Sequence, residues 1–505
     1  MIEQSLWRAH PAPGFPARPL PRAVDVAIVG AGITGLTAAL LLKRAGKTVA
    51  VFDRERVGAG GETGSTSAHL TMLTDERIGT LAQRFGEDGA TLAWRGGALA
   101  IDVIESNVLV LGIDCGFRRV PGFLCAPFLA DEVDRDVQAI GEDAALARRL
   151  GFDVTFLERG PLTGRPAMRL ADQAIVHPLD YCAGLALAIE GDGCVVREMA
   201  EVGAVLDDPL AVVVDGETVA CTDLLIATHV PIVGTRNLLG ATLFQTKIYP
   251  YSSYVLGARI ADERIAPGLY NDTANPYYYL RVHDTPTGRY AVFGGEDHKT
   301  GKESDTEGCY ARLTDALLQI VPSARVERRW SGQVIETDDG LPFIGEVAPH
   351  QYVATGYAGN GLTFGTLAGV MMHDAVLGRE NPWRELFDPH RKASSLGAVK
   401  RFLVENRDYP LYFIADRLRR GDGSGVENVP RGSGKVLSLD GQRVAVHRRD
   451  DGSVVKCSAV CTHMGCLVRW NDGDRTWDCP CHGSRFTPEG LVLGGPAEAP
   501  LAPVD

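Results

Sequence analysis

The segment that most restricts the fold of this chain is residues 24–53, where apolar runs flank a glycine-rich turn and a helix-forming stretch. Residues 24–30 (VDVAIVG) have the composition of a buried strand, and residues 48–52 (TVAVF) have that of a second one. Between them, residues 34–45 are helix-forming and end before Gly46, a residue typical of the position after a helix. This order predicts a β-α-β unit that opens a doubly wound sheet.

The turn of this unit fits G-x-G-x-x-G, with Gly30, Gly32 and Gly35 at the glycine positions. These glycines allow the tight turn, the approach of a pyrophosphate to the backbone, and close packing of the helix on the strand. Asp53 ends the second strand, where an acid accepts hydrogen bonds from an adenosine ribose. No second motif of this kind follows a strand later in the chain. We therefore expect one bound dinucleotide and an organic substrate as the source of electrons.

Three further segments resemble the D-amino-acid-oxidase superfamily of FAD oxidoreductases, and the resemblance covers residues 22–378. They are a Gly/Ser/Thr-rich stretch at 61–67 (GETGSTS), a D-G-x-P-x-I-G strand at 339–345, and a glycine-rich loop at 356–363. The resemblance implies bound FAD, an antiparallel substrate-facing sheet interleaved with the FAD-binding domain, and oxidation of an amine or amino acid. Besides the motif residues, the flavin-binding candidates it gives are Ser65, Thr66, Gly359, Asn360, Gly361, Leu362 and Thr363.

The segment before the D-G-x-P strand departs from this family. Its amino-acid oxidases carry W-x-G-x-R-P, whose arginine clamps the substrate carboxylate, whereas this chain has WSGQV at 330–334. Gln333 cannot make that bidentate ionic contact, which argues against simple α-amino acids as substrates. Arg281 is either a replacement clamp or a structural arginine, and Tyr279 belongs either to the sheet or to a substrate wall. His69 lies one residue from the position of a covalent flavin linkage, and a packed histidine is the alternative. No catalytic base is assigned.

A second constellation lies near the C-terminal end, where five of the eleven cysteines fall within the last fifty residues. A C-x-H and a C-x-x-H motif offer two thiolates and two imidazoles, the ligand set of a Rieske 2Fe–2S cluster, although zinc uses similar residues. The flanking sequences CTHMGC and CPCHGS resemble the Rieske family and favour the cluster. The expected ligands are Cys461, His463, Cys479 and His482.

The Rieske resemblance has two further implications. In Rieske proteins of the respiratory-complex type, the two extra cysteines of the ligand loops form a disulfide, which here would join Cys466 and Cys481. Residues 495–497 (GPA) resemble the loop that covers the cluster.

Composition divides the chain into three parts. Residues 1–395 are expected to form the FAD-dependent oxidoreductase, residues 396–425 a helical tether ending in a flexible GDGSG linker, and residues 426–505 the Rieske domain. The predicted fold class is α/β, with a Rossmann-like FAD-binding domain interleaved with an antiparallel β-sheet substrate domain, plus a small all-β Rieske domain.

The charge and hydropathy of the chain exclude some partners. A net charge of −13 argues against nucleic acid, which rewards clustered Lys and Arg. The chain has no run of about 18 uncharged apolar residues, the length that predicts a transmembrane helix, and the Pro-rich N-terminal residues lack an apolar signal core. We therefore expect a cytoplasmic protein. The arginines of 396–420 suit a packed tether or, alternatively, membrane docking.

A flavin and a Rieske cluster in one chain predict a redox enzyme of the dehydrogenase type. We expect hydride to pass from a small organic substrate to FAD, and electrons to pass singly to the cluster and on to an external acceptor. An alternative is a redox sensor or carrier without turnover. An oxygenase would need a mononuclear iron held by two histidines and a carboxylate beyond the cluster, and no histidine follows His482.

Overall fold

The computed structural model describes residues 2–9, 14–16, 18–130, 133–231, 247–261, 265–391 and 425–504. Residues 396–424, which make up nearly all of the predicted tether, lie outside this part, and so does the hypothesis of membrane docking. The helices of the described part are α1 (Ile33–Arg44), α2 (Ile78–Leu111), α3 (Asp134–Arg149), α4 (Pro178–Ile189), α5 (Thr306–Ile320) and α6 (Gly361–Val376).

The strands are numbered in chain order. The first twelve are β1 (Ala23–Val29), β2 (Val49–Phe52), β3 (His69–Leu70), β4 (Arg118–Cys125), β5 (Val154–Leu157), β6 (Ala167–Ile175), β7 (Val195–Arg197), β8 (Val202–Asp207), β9 (Leu210–Val214), β10 (Glu217–Ile226), β11 (Ile248–Ile260) and β12 (Gly268–Asp272). The others are β13 (Tyr279–Thr285), β14 (Gly288–Lys299), β15 (Arg325–Thr337), β16 (Phe343–Ala348), β17 (Gln351–Thr355), β18 (Gly434–Leu439), β19 (Gln442–Arg448), β20 (Val454–Ser458), β21 (Arg469–Asn471), β22 (Thr476–Asp478), β23 (Arg485–Phe486) and β24 (Val492–Gly494).

The first sheet has the order β16-β17-β10-β1-β2-β7, with the β8-β9 hairpin joined to β10. Strand β1 pairs in parallel with both β2 and β10, as expected for a β-α-β unit. Successive side chains of β1 enter two different cores: Val26 and Ile28 pack on the side of the helices, and Ala27 and Val29 pack on the opposite side. Both faces of the strand are therefore covered, which explains its apolar composition.

The second sheet is mostly antiparallel and has the order β15-β11-β14-β13-β12-β4-β6-β3, with β5 paired to β6. Helix α5 covers one face, where Tyr254 and Leu256 of β11 pack with Leu313. The alternating residues Ser253 and Val255 point to the opposite face, which borders a cavity. This alternation places polar and small side chains of β11 at the site described below.

The C-terminal residues form two small sheets, β18-β19-β20 and β21-β22-β23-β24. Their shared core contains Trp477, Phe486 and the buried cysteines Cys461, Cys466 and Cys479. With these sheets, the predicted fold class is confirmed: a doubly wound part, an interleaved antiparallel sheet and a small all-β part. The boundaries drawn at 395 and 425 stay a prediction.

Candidate functional site

A cavity of about 550 Å³ lies where the two large sheets meet. Three segments that are far apart in the sequence contribute to its wall: Gly30 and Gly32 of the glycine-rich turn, most of residues 61–67, and residues 359–362 at the start of α6. Ser65 and Thr66 are part of that wall, whereas Gly35 and the buried Thr363 lie within helices behind it. The sequence-predicted dinucleotide and flavin segments are thus gathered around one space.

Close backbone contacts explain the glycines of the turn. A Cβ on Gly35 would lie 2.0 Å from the carbonyl oxygen of Gly30, and a Cβ on Gly30 would lie 2.5 Å from that of Ala227. Asp53 accepts a hydrogen bond from the N–H of Ala31 at 2.7 Å, so its carboxylate stands directly beside the turn. Burial raises the pKa of Asp53. These features fit a dinucleotide bound with its pyrophosphate on the turn and its ribose near the acid.

We expect Gly35→Ala to weaken FAD binding by about tenfold or more, because overpacking of about 1–3 kcal/mol would push α1 away from the turn. The measurement is fluorescence titration of the apoprotein with FAD. Gly141→Ala is the matched control, since its Cβ would meet a ring carbon of Phe156 at an ordinary 3.8 Å. Equal affinity in the two variants would contradict this explanation of the motif.

Arg281 lies away from the cavity wall. It is 3% exposed, donates to the carbonyl oxygens of Ala68 (2.8 Å) and Val176 (3.0 Å), and its guanidinium lies 4.9 Å from the centre of the Trp7 ring. These contacts tie β13 to neighbouring backbone, which is a structural role. Arg281 also acts through its charge: burial first, and then this cation, lower the pKa of His69 to about 3, so the His69 ring is neutral at pH 7.

N-terminal residues hydrogen-bond to the backbone of residues 59–67, which we call the flavin loop. The sequence did not suggest these contacts. Trp7 is 1% exposed and donates to the carbonyl oxygen of Thr66 at 2.6 Å, while Ser5 donates to that of Gly64 at 2.7 Å. Arg8 donates to the carbonyl oxygen of Ala59. A lone tryptophan in a Pro-rich stretch is a weak signal, and the carbonyl groups that it meets have no signature in the sequence.

Tyr279 lines the cavity together with Tyr277 and His69. Its hydroxyl lies 3.0 Å from Ser253 Oγ, and its ring meets the His69 ring edge-on at 5.6 Å. His69 Nδ1 lies 3.0 Å from Ser67 Oγ. This wall of the cavity therefore offers hydroxyl groups and a neutral imidazole to a substrate.

Gln333 lines the cavity near Gly494, but its side chain lies on the opposite face of the sheet from Tyr279. Its side-chain Nε2 donates to the carbonyl oxygen of Gly483 at 2.8 Å, and its backbone N–H donates to Glu62 Oε2 at 2.7 Å. Counted from Trp330, the arginine position of W-x-G-x-R-P falls on Val334, not on Gln333. Val334 lines the cavity, so an uncharged valine side chain occupies the position of the family's substrate-binding arginine.

The four expected cluster ligands are brought together by two loops of the all-β part. The sulfurs of Cys461 and Cys479 are within hydrogen-bonding distance of each other, and the rings of His463 and His482 meet edge-on with centroids 4.7 Å apart. Each loop closes on itself: Cys461 N–H donates to Cys466 O at 2.8 Å, and Cys479 N–H donates to Ser484 O at 2.8 Å.

The electrostatics of these loops favour neutral imidazoles and one thiolate. The hydrogen bond to Cys461, and then burial, raise the pKa of Cys479, so iron would have to displace the proton of that thiol. A hydrogen bond from the Cys479 thiol, helped by backbone N–H groups of the same loop as Cys461, lowers the pKa of Cys461 to about 7 against the effect of burial. Burial lowers the pKa of His482 to about 3. The donor set therefore fits a 2Fe–2S cluster with two sulfur and two nitrogen ligands.

A disulfide joins Cys466 to Cys481, one residue from each ligand loop, with the Cα atoms 6.5 Å apart. The Sγ atom of Cys479 lies within 4.8 Å of both of these sulfurs. Because Cys466 and Cys481 are bonded to each other, Cys479 is the thiol of this group that stays available to a metal.

The two sites share a boundary. Residues 493–498 of the all-β part line the flavin cavity, and Arg54, which follows Asp53, donates to the carbonyl oxygen of Leu493 at 2.5 Å. In the same segment, the N–H of Ala497 donates to Ser484 Oγ at 3.0 Å. One stretch of chain therefore contacts both the cavity and a ligand loop.

A buried ionic network also crosses this boundary. Arg485 pairs with Asp474 at 2.6 Å and with Asp478 at 3.2 Å, and all three side chains are at most 11% exposed. From the other side of the boundary, Tyr310 and Ser331 donate hydroxyl hydrogen bonds to Asp474 at 3.0 and 2.5 Å.

The family is shown by comparison with known proteins. The model of the FAD dependent oxidoreductase family matches residues 25–375, and that of the Rieske [2Fe-2S] domain matches residues 424–505. The chain belongs to the FAD dependent oxidoreductase family and carries a C-terminal Rieske domain. It is thus an oxidoreductase whose two domains imply FAD and a 2Fe–2S cluster as cofactors.

Individual relatives agree with this assignment. The Rieske 2Fe-2S iron-sulfur protein YhfW of Bacillus subtilis is 30% identical over 99% of this chain and 97% of its own length. The gamma-glutamylputrescine oxidoreductase of Escherichia coli is 25% identical over 70% of this chain and 84% of its own. The crystal structure of glycine oxidase from Geobacillus kaustophilus superposes with a TM-score of 0.61 and 22% identity, covering 74% of this chain and all of that one.

In the described part of the chain, none of the helices combines the length and hydropathy needed to span a membrane. The cytoplasmic location stays a prediction from the sequence.

Proposed function

We propose that the protein oxidises a small amine or amine derivative at its flavin site and passes the electrons through its own Rieske cluster to an external acceptor. The observation that carries this proposal is the shared boundary. Residues 493–498 line the flavin cavity, and the side chain of Gln333 in β15 hydrogen-bonds to the carbonyl oxygen of Gly483, the residue after His482. When bound, FAD would supply two-electron hydride chemistry and the cluster one-electron transfer.

The residues of the chain have defined tasks in this scheme. Helix α6 begins at the cavity, and its free N–H groups favour negative charge there. Tyr279 and Ser253 offer hydroxyls to a substrate, and neutral His69 adds no cation to the wall. Residues 493–498 form the wall of the cavity on the side of the cluster.

The cavity favours amines without a carboxylate beside the nitrogen. Val334 stands at the position of the family's arginine clamp. Among the described lining residues there is no lysine, and both arginines have partners: Arg54 donates to Leu493 O at 2.5 Å, and Arg77 pairs with Asp143 at 2.6 Å. The name of the gamma-glutamylputrescine oxidoreductase, which points to an amine, supports the same substrate class.

Anaerobic stopped-flow spectroscopy tests the proposal. Primary and secondary amines are mixed with the oxidised holoprotein, each beside its α-carboxylated counterpart as a matched control. We expect the amine to bleach the flavin first and the Rieske absorbance next, with a smaller rate for the carboxylated partner. Substrate that bleaches the flavin but never reduces the cluster would disprove the relay. A flavin that no amine bleaches would favour the carrier without turnover.

A further inference from the structure

Gln333 makes hydrogen bonds to both sides of the domain boundary. It is 4% exposed, and its backbone is held by Glu62 of the flavin loop while its side-chain amide reaches Gly483 of the second ligand loop. Gly483 is bonded covalently to the expected ligand His482. Two hydrogen bonds and one peptide link therefore connect the wall of the flavin cavity to the cluster.

Strand pairing fixes the direction of this side chain. Gly332 pairs with Ser253 and Val334 pairs with Tyr251, so these residues share the cavity face of the sheet. Gln333 pairs with Ser252 and points to the opposite face, where its amide also lies 3.4 Å from Thr300 Oγ1. Because neighbouring residues of β15 face opposite sides of the sheet, Val334 faces the substrate side and Gln333 faces the Rieske domain.

The ligand loop lies against the ring of Pro250 in β11 and against the turn that follows β14. Gly483 is buried and has φ +71°, and a Cβ there would lie 2.2 Å from Pro250 Cγ. A Cβ on Gly301 would lie 2.8 Å from the backbone nitrogen of Pro480. Because both contacts require glycine, the loop can approach closely enough for an amide side chain to reach its carbonyl group.

We propose that Gln333 is a positioning residue that holds the ligand loop of residues 479–484 against the flavin cavity, and that the rate of electron transfer to the cluster depends on this amide. The proposal rests on the relay proposed above. The residue next to the family's clamp position is thereby assigned to redox coupling, a task that a carboxylate-binding oxidase without a Rieske domain does not have.

Gln333→Met tests the proposal, because methionine has a similar length and no donor. In anaerobic stopped-flow, we expect the ratio of cluster reduction rate to flavin reduction rate to fall about fivefold. This change equals about 1 kcal/mol in the equilibrium between the docked and the undocked ligand loop, which is typical of one neutral hydrogen bond. Hydrogen exchange of residues 479–484 is expected to become faster. The paramagnetic spectrum of the reduced cluster is expected to stay unchanged, because no ligand is altered.

Ser331→Ala is the matched control. It removes a different hydrogen bond across the same boundary, to Asp474, and is expected to keep the wild-type ratio and the wild-type exchange of the ligand loop. If Gln333→Met keeps the wild-type ratio, the proposal is overturned, whether or not the loop exchanges faster. An equal fall in both variants would also overturn it, since docking in general would then set the rate. A wild-type cluster that substrate never reduces would instead refute the relay, and loop exchange would still report the contact.

Discussion

Cys479→Ala is expected to abolish the iron–sulfur cluster and to leave the flavin site loaded. Iron content should fall from about two atoms per chain to near zero, because a Rieske centre needs all four ligands and alanine offers none. Flavin content should stay close to the wild-type value, since Cys479 lies outside the described lining of the cavity. The measurements are iron analysis, flavin absorbance and the paramagnetic spectrum after dithionite reduction.

Cys457→Ala provides the comparison. Cys457 is a buried free cysteine of the same domain, and its described hydrogen bond goes to the backbone oxygen of Ala445. We expect this variant to retain its iron. Retention of a full cluster in Cys479→Ala, or equal loss in both variants, would remove Cys479 from the ligand set.

Arg485→Met is expected to destabilise the Rieske domain by about 3–5 kcal/mol, the usual cost of leaving a buried charge without its partner. Arg485 stands between Asp474 and Asp478, whose side chains are 9% and 2% exposed. Its loss leaves two carboxylates in a poorly solvated place and cuts the network that reaches Ser331. The measurement is urea unfolding of the holoprotein, followed by the visible circular dichroism of the cluster.

The control for charge alone is Arg475→Met in the same domain. Arg475 pairs with Asp450 at 3.1 Å, but these side chains are 48% and 73% exposed, so the pair is worth about 0–1 kcal/mol. A shift of the urea midpoint that is no larger for Arg485→Met than for Arg475→Met would show that the buried network contributes little.

The sequence predicted the parts whose chemistry is local. Gly35 is restricted by contacts within its own β-α unit, to Gly30 and Ile28, and the C-x-H and C-x-x-H motifs are restricted by the geometry of ligand loops. The apolar runs at 24–30 and 48–52 indicated strands, and β1 and β2 lie there. In each case, the residues that cause the structure lie next to one another in the chain.

Contacts between distant segments could not be predicted. Gln333 meets Gly483 across 150 positions, and Trp7 meets Thr66 across 59. In both cases the acceptor is a backbone carbonyl, which every residue carries, so the sequence gives no sign of the pairing. The same reason explains why the role of Arg281 stayed open in the sequence. Its guanidinium donates to the carbonyl oxygens of Ala68 and Val176, and a motif could not distinguish this role from a substrate clamp.

The lining by residues 493–498 affects how the holoprotein is assembled. These six residues follow every other described residue of the lining in chain order, so a growing polypeptide forms the rest of the pocket before this last wall is made. Flavin can therefore load during synthesis into a compartment that is still open. Once this wall has docked, its Ala497 N–H hydrogen-bonds to Ser484, so the segment that completes the flavin pocket also holds a loop of the cluster.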